Sequence, residues 1–253
     1  MPYDMLTPER HHIILSLLKA HGVIKLLDLL EATKASESTI RRDLIQLEQE
    51  HRLKRVHGGA SLLQGKRLEP SYEFKADVNF KEKQRVAQLA AHLIADGDSI
   101  YLDAGTTTLQ MIPYLCQKDL TVVTNAINLI EPLINKGLTA YLLGGLVKAK
   151  TKALIGGATL TGLQAYRFDK SFIGVNGIHQ DFGYTTPDPE EAQVKQTALH
   201  LSQEAFAVAD HSKLGEVSFS KIADLKAATL LIDKLDENKA AYEAKTEVRV
   251  VTA

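Results

Sequence analysis

Apolar positions follow two different periods along the chain. In the first 60 residues they recur at helical spacing, as at Ile14 and Leu18, and this spacing predicts helices that pack by one face. From about residue 81 onward, short runs of Val, Ile and Leu alternate with helical segments. Such alternation is typical of parallel strands joined by helical crossovers. We therefore predict an N-terminal helical domain over 1–60, a linker over 61–80 and a larger domain over 81–253.

The larger domain is predicted to be α/β, with a mostly parallel sheet and helices on both of its faces. Its candidate strands cover 99–102, 121–123, 139–143, 171–175, 205–209, 229–232 and 247–251. The helical patterns between the strands cover 82–95, 107–117, 126–136 and 189–203.

The N-terminal domain opens with two predicted helices. The first begins at Thr7, a hydroxyl N-cap ahead of Pro8, and ends at Gly22, which tolerates a left-handed backbone. A short second helix covers 26–32. The spacing of these helices leaves room for a tight turn before the next one.

A third helix, from the N-cap Ser36 to about Glu50, completes a helix-turn-helix pattern. Its core stripe consists of Ile40, Leu44 and Leu47. Arginine binds guanine through two hydrogen bonds, serine donates or accepts, and an apolar side chain contacts the thymine methyl group. The opposite face therefore suits a major groove, and it carries Ser38, Arg41, Arg42 and Ile45.

Positive charge is concentrated in this helix and in the segment that follows it. The 253-residue chain has a formal net charge of −1, so a nucleic-acid site must be a local patch. Residues 41–67 supply that patch, with basic residues at 41, 42, 52, 54, 55, 66 and 67 against acids at 43, 48 and 50. The segment from Lys54 to Gly59 predicts a hairpin with a glycine tip, which in a winged helix lies against the DNA backbone. A solvated helix face and an ordinary surface turn are the alternative.

The loop DAGTTT at 103–108 follows a predicted strand and opens a helix. An anion binds at such a place in an open parallel sheet, because the strand's carboxyl end meets a helix N-terminus there. The loop lacks the lysine of a nucleotide-triphosphate loop and is not GxGxxG. By itself it is equally compatible with an ordinary helix cap.

Other strand ends add polar residues that converge on the same edge of the sheet. Lys213 would supply the positive charge that a phosphate needs, and Asp210 and Asn125 could bind sugar hydroxyls. Taken singly, each of these is more often a loop residue. The candidates at these strand ends are Thr124, Asn125, Gly144, Gly145, Asp210, His211 and Lys213.

Five segments together resemble the DeoR family of sugar-operon transcriptional repressors: TIRRDL at 39–44, LKRVHGGA at 53–60, DAGTTT at 103–108, DKSFIGVNGI at 169–178 and ADHSK at 209–213. The resemblance covers nearly the whole chain. It implies a winged helix-turn-helix that binds operator DNA and a C-terminal sensor domain similar in fold to ribose-5-phosphate isomerase. One departure is His51, where the family usually has glycine, and this leaves the angle of the wing open. The expected DNA-binding residues are Ser36, Ser38, Thr39, Arg41, Arg42, Ile45, Lys54, Arg55, His57, Gly58 and Gly59.

The resemblance also implies how the sensor domain binds a sugar phosphate. It assigns the phosphate to the loop 105–108 and Lys213, with Lys83 as a weaker addition. The isomerases carry acids where this chain has 174–178, so we expect binding without catalysis, and we interpret Glu190 and Glu191 as helix-start acids. The expected effector-binding residues are Lys83, Asp103, Gly105, Thr106, Thr107, Thr108, Thr124, Asn125, Gly144, Gly145, Asn176, Asp210, His211 and Lys213.

Partners and location follow from the same features. Two-fold operators match dimers, so we expect a homodimer or tetramer on operator DNA. The segments ASESTIRRDL at 35–44, LKRVHGGASLLQG at 53–65 and DAGTTT at 103–108 most resemble the fructose operon repressors within this family. That resemblance makes fructose 1-phosphate the first effector to test, ahead of tagatose 6-phosphate, galactitol phosphates and other phosphosugars.

Several classes of site are not expected. The single cysteine, Cys116, excludes an internal disulfide and a multi-cysteine zinc site. The histidines show no metal-ligand spacing, and we expect neither a metal nor a cofactor. Without an apolar run long enough to span a bilayer, or a signal peptide, we expect a cytoplasmic protein that does not use a membrane. Two alternatives remain: a phosphosugar isomerase with an accessory helical domain, and an architectural DNA-binding protein without a small ligand.

Overall fold

The computed structural model describes residues 5–50, 52–56, 58–61, 69–235 and 239–251. It divides into two compact units, one ending at Val78 and the other beginning at Asn79. The boundary lies inside the segment 61–80. The two units are described separately below.

The described residues of the first unit form four helices and a small antiparallel sheet. In chain order, its elements are α1 (Thr7–His21), β1 (Val23–Lys25), α2 (Leu26–Thr33), α3 (Glu37–Gln49), β2 (Lys54–Val56), β3 (Gly59–Ser61) and α4 (Tyr72–Asp77). The sheet order is β1-β3-β2. β2 and β3 form the predicted hairpin, whereas β1 is too short to have been seen in the apolar pattern.

The helix ends test the predicted caps. The prediction for Thr7 was wrong, because Leu6 is the N-cap of α1 and Thr7 is already helical, with no side-chain cap. Gly22 ends α1 with φ 77° and donates to the Leu18 carbonyl, as predicted. Ser36 caps α3, and its hydroxyl accepts from the Thr39 N–H at 3.3 Å, which satisfies one orphan donor of the first turn.

The core of the first unit joins one face of each long helix. The predicted stripe of α3 is confirmed, since Ile40, Leu44 and Leu47 are all buried. They pack with Ile14 and Leu18 of α1 in one apolar cluster. This packing decides which face of α3 stays in solvent.

The second unit contains the large sheet and its crossovers. In chain order, its elements are α5 (Phe80–Ala91), β4 (Ser99–Leu102), α6 (Thr106–Leu109), β5 (Thr121–Thr124), α7 (Ile127–Asn135), β6 (Thr139–Leu142), β7 (Leu146–Lys148), β8 (Ala153–Ile155), α8 (Gly157–Gln164), β9 (Phe168–Gly174), β10 (Gly177–His179), β11 (Gly183–Thr186), α9 (Pro189–His200), β12 (Ser202–Ala209), β13 (Ser220–Ala223), β14 (Thr229–Ile232), α10 (Lys239–Glu243) and β15 (Val248–Val250). Single turns of 3₁₀ helix lie at Ile112–Tyr114, His211–Lys213 and Leu225–Ala227.

The large sheet confirms the α/β prediction. Its strand order is β15-β14-β12-β9-β4-β5-β6, and every neighbouring pair is parallel. All seven predicted strands are present, with ends shifted by a few residues. Buried apolar clusters lie on both faces, with Tyr101 in one and Ile100 in the other, as the alternation of side chains along a strand requires.

The order of the strands creates a topological switch point. From β4 the chain moves outward to β5 and β6, and it then returns to the other side of β4 to lay down β9, β12, β14 and β15. In open α/β sheets, ligands bind in the crevice outside the carboxyl ends of the strands at such a reversal. The crevice here lies between the ends of β4 and β9.

Some elements differ from the prediction. The helix expected over 107–117 was wrong, because α6 ends at Leu109 and a 3₁₀ turn contains Pro113, whose missing N–H does not support a continuous α-helix. The antiparallel sheets β10-β11-β13 and β7-β8 were not predicted. Their strands have only three or four residues, too few to show a clear period.

Candidate functional site

A buried ion pair anchors the inner side of α3. Asp43 is 4% exposed and accepts from the Arg10 Nε at 2.7 Å and Nη2 at 3.1 Å. The His11 Nε2 lies 3.3 Å from the same carboxylate. Because Arg10 and His11 belong to α1, this cluster joins the two helices. Sequence reasoning counted Asp43 only as an acid in a basic segment; its place next to the core stripe was the available signal.

The outer side of α3 presents the predicted groove-facing residues. Ser38, Arg41 and Arg42 are exposed, and Ile45 is 39% exposed. Arg41 pairs with Glu37 one turn earlier, with an N–O distance of 2.6 Å. Both side chains are more than half exposed, so the pair contributes little to stability and is easily exchanged for another partner.

The beginning of α3 is a compact set of hydroxyls. The Ser36 Oγ lies 3.0 Å from the Ser38 Oγ and 2.8 Å from the Thr39 Oγ1. These three predicted residues therefore sit together at the helix N-terminus, where backbone N–H groups favour an anion such as a DNA phosphate.

The wing is fastened to α3 by a carboxylate. Glu48 accepts from the Arg55 N–H at 2.7 Å and from its Nε at 2.6 Å. The two hydrogen bonds from Arg55 lower the pKa of Glu48. Arg55, predicted to contact DNA, thus holds β2 on the recognition helix, and the neighbouring Lys54 is exposed.

Gly58 and Gly59 of the wing are glycine for two different structural reasons. Gly58 has φ 77° and open space around its Cα, which fits a tip. A Cβ on Gly59 would lie 2.0 Å from the Ile24 carbonyl oxygen, so glycine is needed there for β1 and β3 to approach. His57 and His51 lie outside the described residues.

Asp103 joins the two loops at the switch point. It is 1% exposed, and its Oδ2 accepts from the Gly174 N–H at 3.0 Å and pairs with the Lys195 Nζ of α9. A Cβ on Gly105 would come within 3.6 Å of the Gly174 Cα. The loops after β4 and β9 therefore meet closely, with a buried carboxylate between them.

The three threonines of the loop have different surroundings. The Thr108 Oγ1 lies 2.6 Å from the Asp103 carbonyl oxygen and 2.8 Å from that of Gly105, and it accepts from the Gly105 N–H at 3.1 Å. Its hydroxyl is thus used to shape the loop. The hydroxyls of Thr106 and Thr107 make no hydrogen bond with a residue that the structure describes, although both residues are less than 10% exposed.

Five more polar residues come together at the end of β12. Asp210, 1% exposed, accepts from the Asn79 Nδ2 at 2.7 Å and the Ser212 N–H at 3.1 Å. Burial acts to raise its pKa, but the charges of Lys213 and Lys83 and these hydrogen bonds outweigh burial and lower it. The predicted residues Lys83, Asp210 and Lys213 are therefore neighbours. Lys213 is partly exposed and its amine forms no hydrogen bond or ion pair within the described chain.

The remaining predicted residues have protein partners. The His211 N–H and Nδ1 bind the two oxygens of Asp233, at 2.6 and 2.8 Å. Asn125 accepts from the Tyr101 hydroxyl at 2.8 Å and donates to the Leu154 carbonyl at 3.0 Å. The Asn176 Oδ1 accepts from the Thr186 hydroxyl at 3.1 Å.

Thr124 and the pair Gly144-Gly145 shape backbone beside the edge strand. The Thr124 hydroxyl accepts from the Ala126 N–H at 3.1 Å. A Cβ on Gly145 would lie 2.0 Å from the Thr159 Oγ1, so this glycine permits close packing on α8. Thr124 ends β5 and the two glycines follow β6, on the far side of β4 from Lys213.

Sequence reasoning missed an ionic network on α9. Lys148 binds Asp188 at 2.6 Å and Glu191 at 2.8 Å, and the Thr151 hydroxyl donates to Glu191 at 2.7 Å. Burial acts to raise the pKa of Glu191, but the charge of Lys195 and the contact with Lys148 lower it overall.

Glu190 and Glu191 lie in the first turn of α9, as interpreted, but Glu191 also takes part in this network. Asp188 is the N-cap and accepts from the N–H groups of Glu190 and Glu191, while Glu191 is 7% exposed inside the network. The available signal was the spacing of Glu191 and Lys195, which puts opposite charges on one helix face at i and i+4.

The described residues contain no group of three or more His, Cys, Asp or Glu side chains arranged to hold a metal ion. None of their helices is both long enough and apolar enough to cross a membrane.

Family models match both units. A DeoR-like helix-turn-helix domain matches residues 10–66, and the DeoR C terminal sensor domain matches residues 78–234. The sensor match alone covers more than half of the chain. It includes the switch point and the Asp210 cluster.

Individual proteins agree with the family match. The chain is 50% identical over 249 residues to the "Uncharacterized HTH-type transcriptional regulator FruR" of Bacillus subtilis (strain 168), covering 98% of this chain and 99% of the relative. It is 31% identical over 249 residues to the "Lactose phosphotransferase system repressor" of Staphylococcus aureus (strain N315), covering 96% of this chain and 98% of the relative. These relatives are named regulators and repressors, not enzymes.

Among solved structures, ribose 5-phosphate isomerase A of Methanocaldococcus jannaschii matches with a TM-score of 0.40 and 16% identity, over 54% of this chain and 55% of that one. A likeness of that size supports no statement about activity. The two domain matches and the full-length relatives identify the family. The chain belongs to the DeoR family of sugar-operon transcriptional repressors, with an N-terminal helix-turn-helix domain and a C-terminal sensor domain.

Proposed function

We propose that the protein represses a sugar-uptake or catabolic operon in the cytoplasm, binding a two-fold operator as a homodimer or tetramer until a phosphorylated sugar releases it. The first effector we propose is fructose 1-phosphate. The observation that carries the proposal is the Lys213 amine, a cation without an ion pair in the described chain, at the carboxyl edge that also holds Thr106 and Thr107.

The DNA-binding half is supported by the division of α3 into two sides. The Asp43 cluster and the apolar stripe hold one side, and the other exposes Arg41, Arg42 and Ile45. Two guanidinium groups on an exposed helix face can each bind a guanine through two hydrogen bonds. The exposed Lys54 of the wing adds a contact to the phosphate backbone, which fixes position rather than sequence.

The sensor half is supported by unused donors around the switch point. The loops after β4 and β12 are two strand spacings apart, about 10 Å, with β9 between them. Thr106 and Thr107 would donate to phosphate oxygens from one loop, and Lys213 would supply charge from the other. The buried pair of Asp103 and Lys195 offers an acceptor and a donor for sugar hydroxyls beside them.

The names of the relatives bear on the kind of system that is regulated. One is named FruR and another is named a lactose phosphotransferase system repressor. Both names support a carbohydrate system as the regulated target. The residues in the crevice recognise phosphate and hydroxyl groups and do not distinguish one ketose phosphate from another, so the choice of sugar is an experimental question.

Fluorescence anisotropy on the gene's own upstream DNA tests the proposal at two salt concentrations, with fructose 1-phosphate, other sugar phosphates and their unphosphorylated forms. Specific binding should weaken steeply with salt, and one sugar phosphate should release it while its free sugar does not. No specific binding to the upstream DNA would contradict the repressor proposal. Binding that no sugar phosphate changes would contradict the sensor proposal.

Matched variants separate the two halves. Arg42→Ala should abolish operator binding and leave the affinity for the sugar phosphate unchanged. Lys213→Ala should keep operator binding and lose release, because the phosphate loses its cation. Lys226→Ala, a change of an exposed lysine on the 3₁₀ turn Leu225–Ala227, is the control for Lys213. A normal response of Lys213→Ala would show that the phosphate binds elsewhere.

A further inference from the structure

We infer that Asn79 is the residue through which a ligand bound at Asp210 and Lys213 acts on the DNA-binding unit. The inference rests on the proposed function, because it names how the same sensor site is read. Asn79 is the first residue of the sensor unit. No sequence pattern marked Asn79 as a functional candidate.

The Asn79 side chain binds Asp210 and does not cap α5. It is the N-cap of α5, a position where asparagine normally accepts from the N–H of the first turn, yet its side chain makes no such bond. Its Nδ2 donates instead to Asp210, 131 residues along the chain. The residue is 6% exposed and has φ 53°, a left-handed conformation that costs free energy in any residue except glycine, although asparagine tolerates it best.

Asp210 connects Asn79 to the ligand site. The same carboxylate that accepts from Asn79 feels the charges of Lys213 and Lys83. A phosphate that binds Lys213 takes part of that positive charge away from Asp210. The carboxylate then depends more on its hydrogen bonds from Asn79 and Ser212, so ligand binding changes the force on Asn79.

The other side of Asn79 leads to α4 and, through it, to β1 of the first unit. Only Val78 separates it from α4, which belongs to the first unit and packs against β1. At the end of α4, Asp77 pairs with Lys25 of β1, and at its beginning Tyr72 is buried. A shift in the backbone of Asn79 therefore acts on α4, which packs against β1, and β1 pairs with β3 of the wing.

Asn79→Gly is the decisive variant. Glycine adopts φ 53° without strain, so the change removes the hydrogen bond to Asp210 and leaves the backbone conformation accessible. Asp119→Gly is the matched control, because Asp119 is exposed and also left-handed, with φ 55°, but lies in the loop before β5. Three quantities are measured on the full-length protein: operator affinity alone, fructose 1-phosphate affinity alone, and operator affinity with saturating sugar phosphate.

The wild type and Asp119→Gly should show operator affinity reduced 5- to 150-fold by the sugar phosphate, the usual range of allosteric coupling. Asn79→Gly should keep both separate affinities within about threefold, while the reduction falls to less than about threefold. A purely structural role would instead lower the separate affinities and the melting temperature together. An unchanged reduction in Asn79→Gly, with the wild type responding, would overturn the inference alone. A wild type without any response to the sugar phosphates would overturn the proposed function, and the inference with it.

Discussion

The ion pair between Asp43 and Arg10 gives the sharpest prediction about stability. Removing one partner of a buried pair costs about 3–5 kcal/mol, because the other charge is left uncompensated. The Asp43 and Arg10 side chains are 5% and 11% exposed. Arg10 still reaches the Thr7 hydroxyl at 3.0 Å, so we expect Asp43→Asn to cost about 3 kcal/mol, the lower end of that range.

That loss is large for a unit of this size. Folded domains are stable by about 0.05–0.15 kcal/mol per residue, and the first unit ends at Val78. Asp43→Asn should therefore expose α1 and α3 to amide hydrogen exchange and weaken operator binding. The α/β unit should keep its unfolding transition in urea. Glu37→Gln, which removes a pair on the exposed side of the same helix, should cost less than about 1 kcal/mol.

A double variant distinguishes charge from packing. Replacing Arg10 by Met and Asp43 by Leu removes both charges, and well-packed apolar replacements of a buried pair are often neutral or stabilising. The double variant should recover most of the stability that Asp43→Asn loses. A loss below about 1 kcal/mol for Asp43→Asn, or a double variant no better than the single one, would refute the reasoning.

Three further predictions concern other residues. The pKa of Glu191 is lowered from its ordinary value of 4.5, so its contacts stabilise the folded state above that pH. This stabilisation is lost as the pH falls through the lowered pKa. Glu191→Gln should therefore flatten the dependence of stability on pH, measured by urea unfolding below pH 5. Gly59→Ala should weaken operator binding more than Gly58→Ala does, because only Gly59 faces the Ile24 carbonyl at 2.0 Å from a Cβ; anisotropy and the melting temperature compare the two. Glu48→Gln should leave the melting temperature nearly unchanged, since the pair with Arg55 is partly exposed, but should loosen the wing, seen as faster exchange of the Arg55 amide.

The sequence predicted those features that depend on neighbouring residues. The cap at Ser36 and the stripe of Ile40, Leu44 and Leu47 were correct because both depend only on residues that are close together along one helix. All seven strands of the large sheet were recognised because each contains a short apolar run, and such runs are typical of strands in a parallel sheet. The switch point depends on the order of these strands in the sheet, which came from the structure.

Features that depend on distant partners were not predictable in this way. The strand predicted over 171–175 begins at Phe168 in the structure. The added stretch includes Lys170, which pairs with the distant Asp98 at 2.7 Å. The three threonines of the loop look equivalent in sequence, yet only Thr108 closes the loop on itself. Lys195 and Asn79 reach Asp103 and Asp210 across 92 and 131 positions, and a local pattern contains no trace of such pairs.

The two sides of α3 have a consequence for how regulators of this kind diversify. The residues that hold the helix in place, Asp43 and the apolar stripe, are separate from those that face the groove. Gene duplicates can therefore exchange Arg42 or Ile45 and acquire a new operator without losing a folded recognition helix. Because the sensor is a separate unit, the ligand and the DNA sequence can change independently, and one architecture can supply a genome with many switches that do not interfere with one another.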